Sequence, residues 1–118
     1  MKARENDRPD GPDSRRDCVR VLGIDPGSHI CGYGIVEKGA GRCDGYRYIA
    51  SGRIELSSKD PLHVRLNDIY LALAEIIGEY RPVQAAVERV FFAKSVKAAL
   101  HLGHARGASM LAATAGGL

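Results

Sequence analysis

The 118-residue sequence lacks several features that define large classes of protein. It has no tryptophan, and no apolar run approaches the roughly 18 residues of a membrane-spanning helix. Its three cysteines, Cys18, Cys31 and Cys43, form no Cys-x-x-Cys pair, which argues against a disulfide framework or zinc site and fits a reducing cytoplasm. The first 17 residues mix both charges without an apolar core, so they do not resemble a secretory signal. Because 45% of the residues are hydrophobic, we expect one small soluble domain.

The formal net charge of +3 is distributed unevenly. Residues 1–80 contain 12 Lys and Arg against 13 Asp and Glu, whereas residues 81–118 contain five against Glu88 alone. A basic end with one carboxylate suggests an anionic partner, with nucleic acid as the first candidate. On charge alone, the solvated surface of an ordinary soluble protein is the simpler explanation.

The first half of the chain predicts an extension followed by three strands. Residues 1–18 are rich in Arg, Asp and Pro and predict a disordered N-terminal extension. The apolar run 19–24 predicts a strand that ends in the turn sequence Asp-Pro-Gly-Ser at 25–28. Residues 30–37 and 46–56 predict a second and a third strand, which a glycine-rich hairpin loop joins in antiparallel order.

The second half predicts a helix, a strand and a helix. Asp60-Pro61 has the residue types of an N-cap and first helical position, and an apolar stripe follows at helical spacing: Leu62, Leu66, Ile69, Leu73, Ile76, Ile77 and Tyr80. After Arg81-Pro82, residues 83–87 predict a strand of a parallel sheet. An alanine-rich helix is expected from about Lys94 to Thr114, ended by glycines. The order β-β-β-α-β-α predicts an α/β domain in which the last strand lacks a neighbour on one side.

Two carboxylates are the strongest candidates for chemistry. Asp25 ends the first strand and Glu88 ends the last, and ligands of open α/β sheets bind at the carboxyl ends of strands. If these strands are neighbours, the paired carboxylates repel one another unless a cation or a proton lies between them, and hard oxygen ligands suit Mg²⁺ or Mn²⁺. The alternative is that Asp25 caps its turn and Glu88 is a solvated strand end.

Three further patterns are compatible with DNA binding. Gly27-Ser28 and Gly32-Tyr33-Gly34 contain glycines that allow a phosphate to approach, although a glycine-rich hairpin is the simpler explanation. Phe91 and Phe92 are adjacent, and in an extended segment they cannot both face one core. One of the two rings is therefore expected to be exposed as a stacking platform or wedge for a base. The alternative is that both rings fold into the core. On the last helix one quadrant contains four basic side chains, which either follow phosphates or form a solvated face: Lys94, Lys97, His101 and His104. On roughly the other side of this helix lie Val96, Leu100, Gly103, Gly107 and Met110. The two glycines and the many alanines allow close helix packing, for example across a dimer interface.

Several motifs, in order and at matching spacing, resemble one known family. The segment Val21–Ser28, followed by Gly32–Gly34 and Tyr48–Gly52, is similar to the RuvC family of Holliday junction resolvases. Ala86–Lys94, followed by Ala98–Gly107, is similar to the same family. The resemblance covers about residues 19–118 and implies a ribonuclease-H-like mixed sheet. It also implies a homodimer that makes two symmetric nicks in four-way DNA junctions during recombination and repair, in association with a RuvA–RuvB branch-migration complex.

The resemblance assigns roles to residues that match its motifs. It implies that Asp25 and Glu88 are catalytic and are the first two of four acidic ligands for Mg²⁺, for which Mn²⁺ can substitute. Phe91 resembles the aromatic residue that inserts at the junction, with Lys94 on the DNA side. We expect the neighbouring DNA-binding residues to include Phe92, Arg89 and Lys97.

The sequence departs from the family pattern at its end. The remaining two acidic residues of the family lie on a later helix, after a fifth strand, and this sequence stops at Leu118 before both. We therefore expect the 118-residue polypeptide to be a poor or inactive nuclease. Three alternatives stay open: a non-catalytic junction-binding or dimerising fragment, a related resolvase with another substrate, and a nucleotide-binding module of the actin, Hsp70 or sugar-kinase type, which shares the glycine-containing hairpin.

Overall fold

A computed structural model of the chain describes residues 18–39, 45–89 and 94–118. Its strands are β1 (Val19–Asp25), β2 (Ile30–Lys38), β3 (Tyr46–Glu55) and β4 (Gln84–Val87). Its helices are α1 (Leu62–Tyr80) and α2 (Val96–Ala115). The order β-β-β-α-β-α confirms the prediction from sequence. The predicted extension falls outside the described residues except for Cys18, and so does most of the hairpin loop.

The four strands form one mixed sheet in the order β3-β2-β1-β4. β1 pairs with β2 and β2 with β3 in antiparallel register, whereas β1 and β4 are parallel. A parallel neighbour requires the chain to cross over the sheet, and α1 provides that crossover. Within the part of the chain that the structure describes, β4 has a strand neighbour on one side only, as the sequence predicts.

The hydrophobic core lies between one face of the sheet and the two helices. β1 and β2 contribute Leu22, Ile24 and Ile35, and α1 contributes Ile69 and Leu73, all of which are buried. Fully burying a Leu or Ile side chain contributes roughly 1.5–3 kcal/mol. α2 meets this core through small residues: Ala105, Ser109, Ala112 and Ala113. The small side chains let the backbone of α2 approach α1 closely. Neither described helix is long and apolar enough to span a membrane.

The first helix begins differently from the prediction. α1 starts at Leu62 with Pro61 as its N-cap in extended conformation, and no side chain caps it, so the prediction that Asp60 is the N-cap is wrong. The Pro61 carbonyl accepts the first helical hydrogen bonds, from the amides of Val64 and Arg65. Asp60 instead offers its main-chain carbonyl to the Arg65 guanidinium, at 3.2 Å. A tertiary hydrogen bond thus replaces the local cap.

The second helix also begins later than expected, at Val96 rather than about Lys94. Ser95 is extended, and its hydroxyl accepts a hydrogen bond from the amide of Ala98 at 3.1 Å. A serine N-cap satisfies one of the four amides that a helix start leaves without partners, which fixes the boundary. Lys94 consequently precedes the helix, so its predicted position in the basic quadrant of α2 is wrong.

A charged cluster joins the end of α1 to the sheet. The Arg20 guanidinium donates to the Glu37 carboxylate at 2.7 Å and to the main-chain carbonyl of Tyr80 at 2.8 Å. Arg47 donates to the other oxygen of Glu37 at 2.8 Å. The hydrogen bonds from Arg20 and Arg47 hold the pKa of Glu37 below its ordinary value. The cluster positions the C-terminal end of α1 beside β1 and β2.

Candidate metal and nucleic-acid site

Asp25 and Glu88 lie side by side at the carboxyl ends of two neighbouring parallel strands. The register pairs Ile24 with Val87, and the amide of Glu88 donates to the Ile24 carbonyl at 3.0 Å, which carries the pairing one residue further. Asp25 and Glu88 are both exposed. The two strands are therefore neighbours, which is the condition under which the sequence places the two carboxylates close together.

The two carboxyl groups interact electrostatically. A hydrogen bond with Asp25, followed by the negative charge of Asp25, raises the pKa of Glu88 above its ordinary value. A raised pKa means that the fully ionised pair is unfavourable, and a bound divalent cation removes the repulsion as effectively as a proton. The carboxylate oxygens are hard donors that fit Mg²⁺ or Mn²⁺. Within the described ranges no group of three or more His, Cys, Asp or Glu forms a metal cluster. A cation bound here would therefore complete its coordination with water or ligands from elsewhere.

The backbone of Glu88 is held by a residue that the sequence analysis did not single out. The Nε of Arg106, on α2, donates to the main-chain carbonyl of Glu88 at 3.1 Å. This hydrogen bond ties the end of β4 to the middle of α2. Arg106 gave no sequence signal beyond its charge, because the contact depends on how the helix packs.

The sheet surface beside the carboxylates has almost no side chains. In register, Gly23 lies opposite Gly34 and Asp25 lies opposite Gly32, and directly opposed residues share a face of the sheet. Ala86 of β4 is the partner of Gly23 on the other side. These residues line a shallow pocket of about 540 Å³ that includes both carboxylates. We call Gly23, Gly32, Gly34 and Ala86 the glycine floor.

Local packing does not require the glycines of the floor. A Cβ atom added at Gly23, Gly32 or Gly34 would have no neighbour closer than 3.6 Å, which is ordinary van der Waals contact. By contrast, a Cβ at Gly27 would lie 2.1 Å from the Ile30 carbonyl oxygen, so glycine there is structural. The fold would tolerate alanine at Gly23, Gly32 and Gly34, so the space beside the carboxylates is not a requirement of local packing.

Three of the predicted DNA-binding residues lie in the described part of the chain, next to the end of β4 or at the start of α2. Arg89 directly follows Glu88, Lys94 lies just before α2 and Lys97 lies in its first turn, and all three are exposed. Phe91 and Phe92 lie outside the described residues. Of the four residues of the predicted basic quadrant, Lys97, His101 and His104 lie on α2, whereas Lys94 precedes the helix.

The side of α2 that faces away from the core exposes an apolar stripe. Val96 is 78% exposed, Leu100 58% and Met110 44%, and they alternate with Gly103 and Gly107 at helical spacing. In this single chain no described residue buries the stripe. The stripe therefore combines exposed apolar side chains with glycines, a composition that suits packing against another helix.

Comparison with known proteins gives one consistent result. The family model described as crossover junction endodeoxyribonuclease RuvC matches residues 21–118. The crossover junction endodeoxyribonuclease RuvC of Saccharophagus degradans is 51% identical over 98 residues, which are 83% of this chain and 55% of that protein. Its counterpart from Shewanella frigidimarina is 49% identical over 100 residues, 83% of this chain and 54% of that protein. The chain thus spans about half the length of the curated relatives it matches.

Solved structures give the same result. A structure described as T. thermophilus RuvC in complex with Holliday junction substrate superimposes with a TM-score of 0.74 at 31% identity, over 85% of this chain and 61% of that one. A second structure, of Thermus thermophilus RuvC, gives a TM-score of 0.72 at 32% identity and covers 85% of this chain and 60% of that one. The mixed sheet is accordingly the ribonuclease-H-like fold that the motifs implied. The family match over most of the chain, the identities near 50% and the shared fold show that this chain belongs to the RuvC family of crossover junction endodeoxyribonucleases.

Proposed function

We propose that Asp25 and Glu88 bind a divalent cation, Mg²⁺ or Mn²⁺, in a nuclease site that cleaves phosphodiester bonds of four-way junction DNA. The observation that carries this proposal is the repelling carboxylate pair beside a floor without side chains. The names of the relatives and the junction complex of the T. thermophilus protein support the choice of substrate.

The residues of this chain have distinct parts in that chemistry. A divalent cation supplies Lewis-acid activation of water and neutralises charge at the scissile phosphate. Asp25 and Glu88 provide carboxylate oxygens to hold it, and Arg106 fixes the backbone from which the Glu88 side chain projects. The glycine floor lets a sugar-phosphate backbone approach the carboxylates without a steric barrier. The protein thus contributes ligands, positioning and access.

The DNA-binding role is assigned to residues at the edge of this site. Arg89, Lys94 and Lys97 are exposed cations, and exposed cations that contact phosphates position a duplex without reading its sequence. Phe91 and Phe92 are proposed to stack against bases at the junction, where bases are less constrained than in a continuous duplex. Together these residues favour a branched substrate over a linear one.

The exposed apolar stripe of α2 is proposed to pack against a second copy of the chain. A two-fold axis would place the same stripe on both sides of the interface, and the glycines allow the two helices to approach closely. Such a dimer would contain two copies of the carboxylate site, one for each of two symmetric nicks in the junction. A RuvA–RuvB complex is the partner that family membership suggests, and no described surface identifies where it would bind.

Metal binding is the first test. We would measure Mn²⁺ affinity of the 118-residue polypeptide by electron paramagnetic resonance, with Asp25→Asn, Glu88→Gln and the exposed control Glu75→Gln. Losing a ligand should weaken Mn²⁺ binding at least about tenfold in the first two variants, and the control should match the parent. Equal affinity in all four proteins would refute the assignment of the metal site.

Binding and cleavage of a synthetic four-way junction are the second test, with linear duplex as the control. A second candidate function, junction binding without cleavage, is favoured by the presence of only two clustered carboxylates among the described residues. Nicking that requires Mg²⁺ and is lost in Asp25→Asn supports hydrolysis. Preference for the junction without nicking supports binding alone, and no preference for the junction contradicts both.

A further inference from the structure

A second pocket lies behind the turn that connects β1 to β2. It has a volume of about 650 Å³ and is bounded by that turn, by α1 and by the first turn of α2. Four side chains that line it are cationic or can become so: His29, Arg65, Lys97 and His101. No carboxylate side chain is among the described residues that line it.

Arg65 is the central feature of this pocket. It is only 7% exposed, and its guanidinium donates to two neutral acceptors, the main-chain carbonyls of Ser28 at 2.8 Å and Asp60 at 3.2 Å. It forms no ion pair with a carboxylate in the described ranges. A guanidinium has five N–H donors, so these two bonds leave donors for another acceptor. A buried positive charge without a counter-ion is unfavourable, and a bound anion would remove that cost.

The start of α2 adds further donors to the same pocket. Ser95 caps the helix by accepting from the amide of Ala98, and its carbonyl accepts from the amide of Ala99. The amides of Val96 and Lys97 are thereby left without partners inside the helix. The first turn contains no acidic residue, so the positive end of the 20-residue helix dipole is not neutralised there.

The titration of His101 reports the same charge distribution. Desolvation, followed by electrostatic interaction with Lys97, Arg65, His104 and His29, lowers the pKa of His101 below its ordinary value. The groups that act electrostatically on this imidazole in the described part of the chain are all basic, which favours a bound anion.

We infer that this pocket binds a phosphate group, held by Arg65, Lys97, His101 and the amides at the start of α2. Tetrahedral oxyanions match several donors that converge from different directions, and the guanidinium favours paired hydrogen bonds to phosphate. The phosphate has two possible sources, the backbone of a DNA strand and free inorganic phosphate. The DNA source rests on the proposed function, and it is suggested by the turn 25–28, which links Asp25 of the carboxylate site to Ser28 of this pocket.

Inorganic phosphate is the first probe, with neither DNA nor divalent metal present. Thermal unfolding of the 118-residue polypeptide would be followed in increasing phosphate and in chloride of equal ionic strength. A ligand that binds only the native state raises the midpoint as its concentration exceeds Kd, so phosphate should stabilise the chain more than chloride. Lys97→Gln and His101→Gln should each weaken phosphate binding about two- to fivefold, and Lys59→Gln, which removes the same charge elsewhere, should not.

Arg65 requires a separate variant, because it also holds the turn. Arg65→Lys keeps the charge and loses the paired donors, so phosphate should bind more weakly while the unfolding midpoint in chloride reports any structural damage. If Arg65→Lys does not fold, Lys97→Gln and His101→Gln still test the proposal. Equal stabilisation by phosphate and chloride, or identical behaviour of Lys97→Gln and Lys59→Gln, would overturn the proposal.

Junction DNA distinguishes the two sources. If the pocket takes a DNA phosphate, Lys97→Gln should reduce the slope of log affinity against log salt by about one, and inorganic phosphate should compete with DNA more than chloride does. Phosphate binding without these effects identifies free phosphate as the ligand. Because the first experiment contains no DNA, failure of junction binding does not affect its result.

Discussion

Replacing glycines of the floor should separate structural glycines from those that serve a ligand. An alanine Cβ at Gly34 would have its nearest neighbour, the Ala50 carbonyl oxygen, at 4.0 Å, and Gly34 does not have a positive φ. Glycine in a strand costs roughly 0.5–1 kcal/mol relative to alanine. Gly34→Ala should therefore stabilise the fold by about that amount, which raises the unfolding midpoint by roughly 2–8 °C.

Gly27→Ala is the matched structural control. Its Cβ would lie 2.1 Å from the Ile30 carbonyl oxygen, which is backbone and cannot rotate away. The turn must deform, and overpacking of this kind typically costs about 1–3 kcal/mol. The two Gly→Ala changes are thus expected to shift the free energy of unfolding, measured with urea, in opposite directions.

The functional readout is junction binding at constant Mn²⁺ affinity. Gly34 is not a carboxylate ligand, so Gly34→Ala should keep the Mn²⁺ affinity of the parent. Its methyl group would occupy the space we assign to the DNA backbone, and junction affinity should fall about fivefold or more, corresponding to about 1 kcal/mol. A variant that is destabilised by more than 1 kcal/mol, or that binds the junction as tightly as the parent, would refute the assignment of the floor.

Three further predictions concern charge, core and assembly. Because the pKa of Glu88 is raised in the folded chain, the native state binds the carboxyl proton of Glu88 more tightly than the unfolded state does. The free energy of unfolding should therefore fall as the pH rises above about 4.5. Asp25→Asn should reduce that fall in urea titrations at several pH values, and an unchanged pH profile would contradict the coupling. Leu73→Ala, in the fully buried core, should cost about 2–5 kcal/mol of unfolding free energy, whereas Leu71→Ala, at a 56% exposed position, should stay within about 0.5 kcal/mol. Leu100→Lys should shift sedimentation toward monomer if the α2 stripe is the interface, and an unchanged dimer would exclude that surface.

The sequence predicted the parts of the fold that depend on local patterns. The apolar run Val19–Ile24, the turn residues after it and the helical spacing of the α1 stripe are each recognisable in the sequence. The pairing of the fourth strand with the sheet follows because a strand that returns through a helical crossover lies parallel to an existing strand. The adjacency of Asp25 and Glu88 followed from that pairing alone, since each residue ends its strand. The ribonuclease-H-like fold and the family were predicted from several sequence motifs that occur in the family's order and at its spacing.

The contacts that complete the site could not be predicted from local patterns. Arg65 lies three residues after Leu62 and four before Ile69, so a cation on the core-facing stripe was a visible signal that the apolar periodicity obscured. Its partners, the carbonyls of Ser28 and Asp60, come together only when α1 packs beside the β1–β2 turn. Arg106 reaches Glu88 through a similar tertiary contact. Side chain to carbonyl hydrogen bonds of this kind carry no sequence period.

The β1–β2 turn connects the two proposed sites physically. Asp25 opens it on the side of the glycine floor, and Ser28, which is 9% exposed, offers its carbonyl to Arg65 on the other side. Gly27 between them packs so tightly that no Cβ fits, and the turn therefore transmits displacement rather than absorbing it. A phosphate that draws on the Arg65 guanidinium acts on the same short segment that sets the position of the Asp25 carboxylate. We therefore expect phosphate binding behind the turn and metal binding in front of it to influence one another through the four residues 25–28.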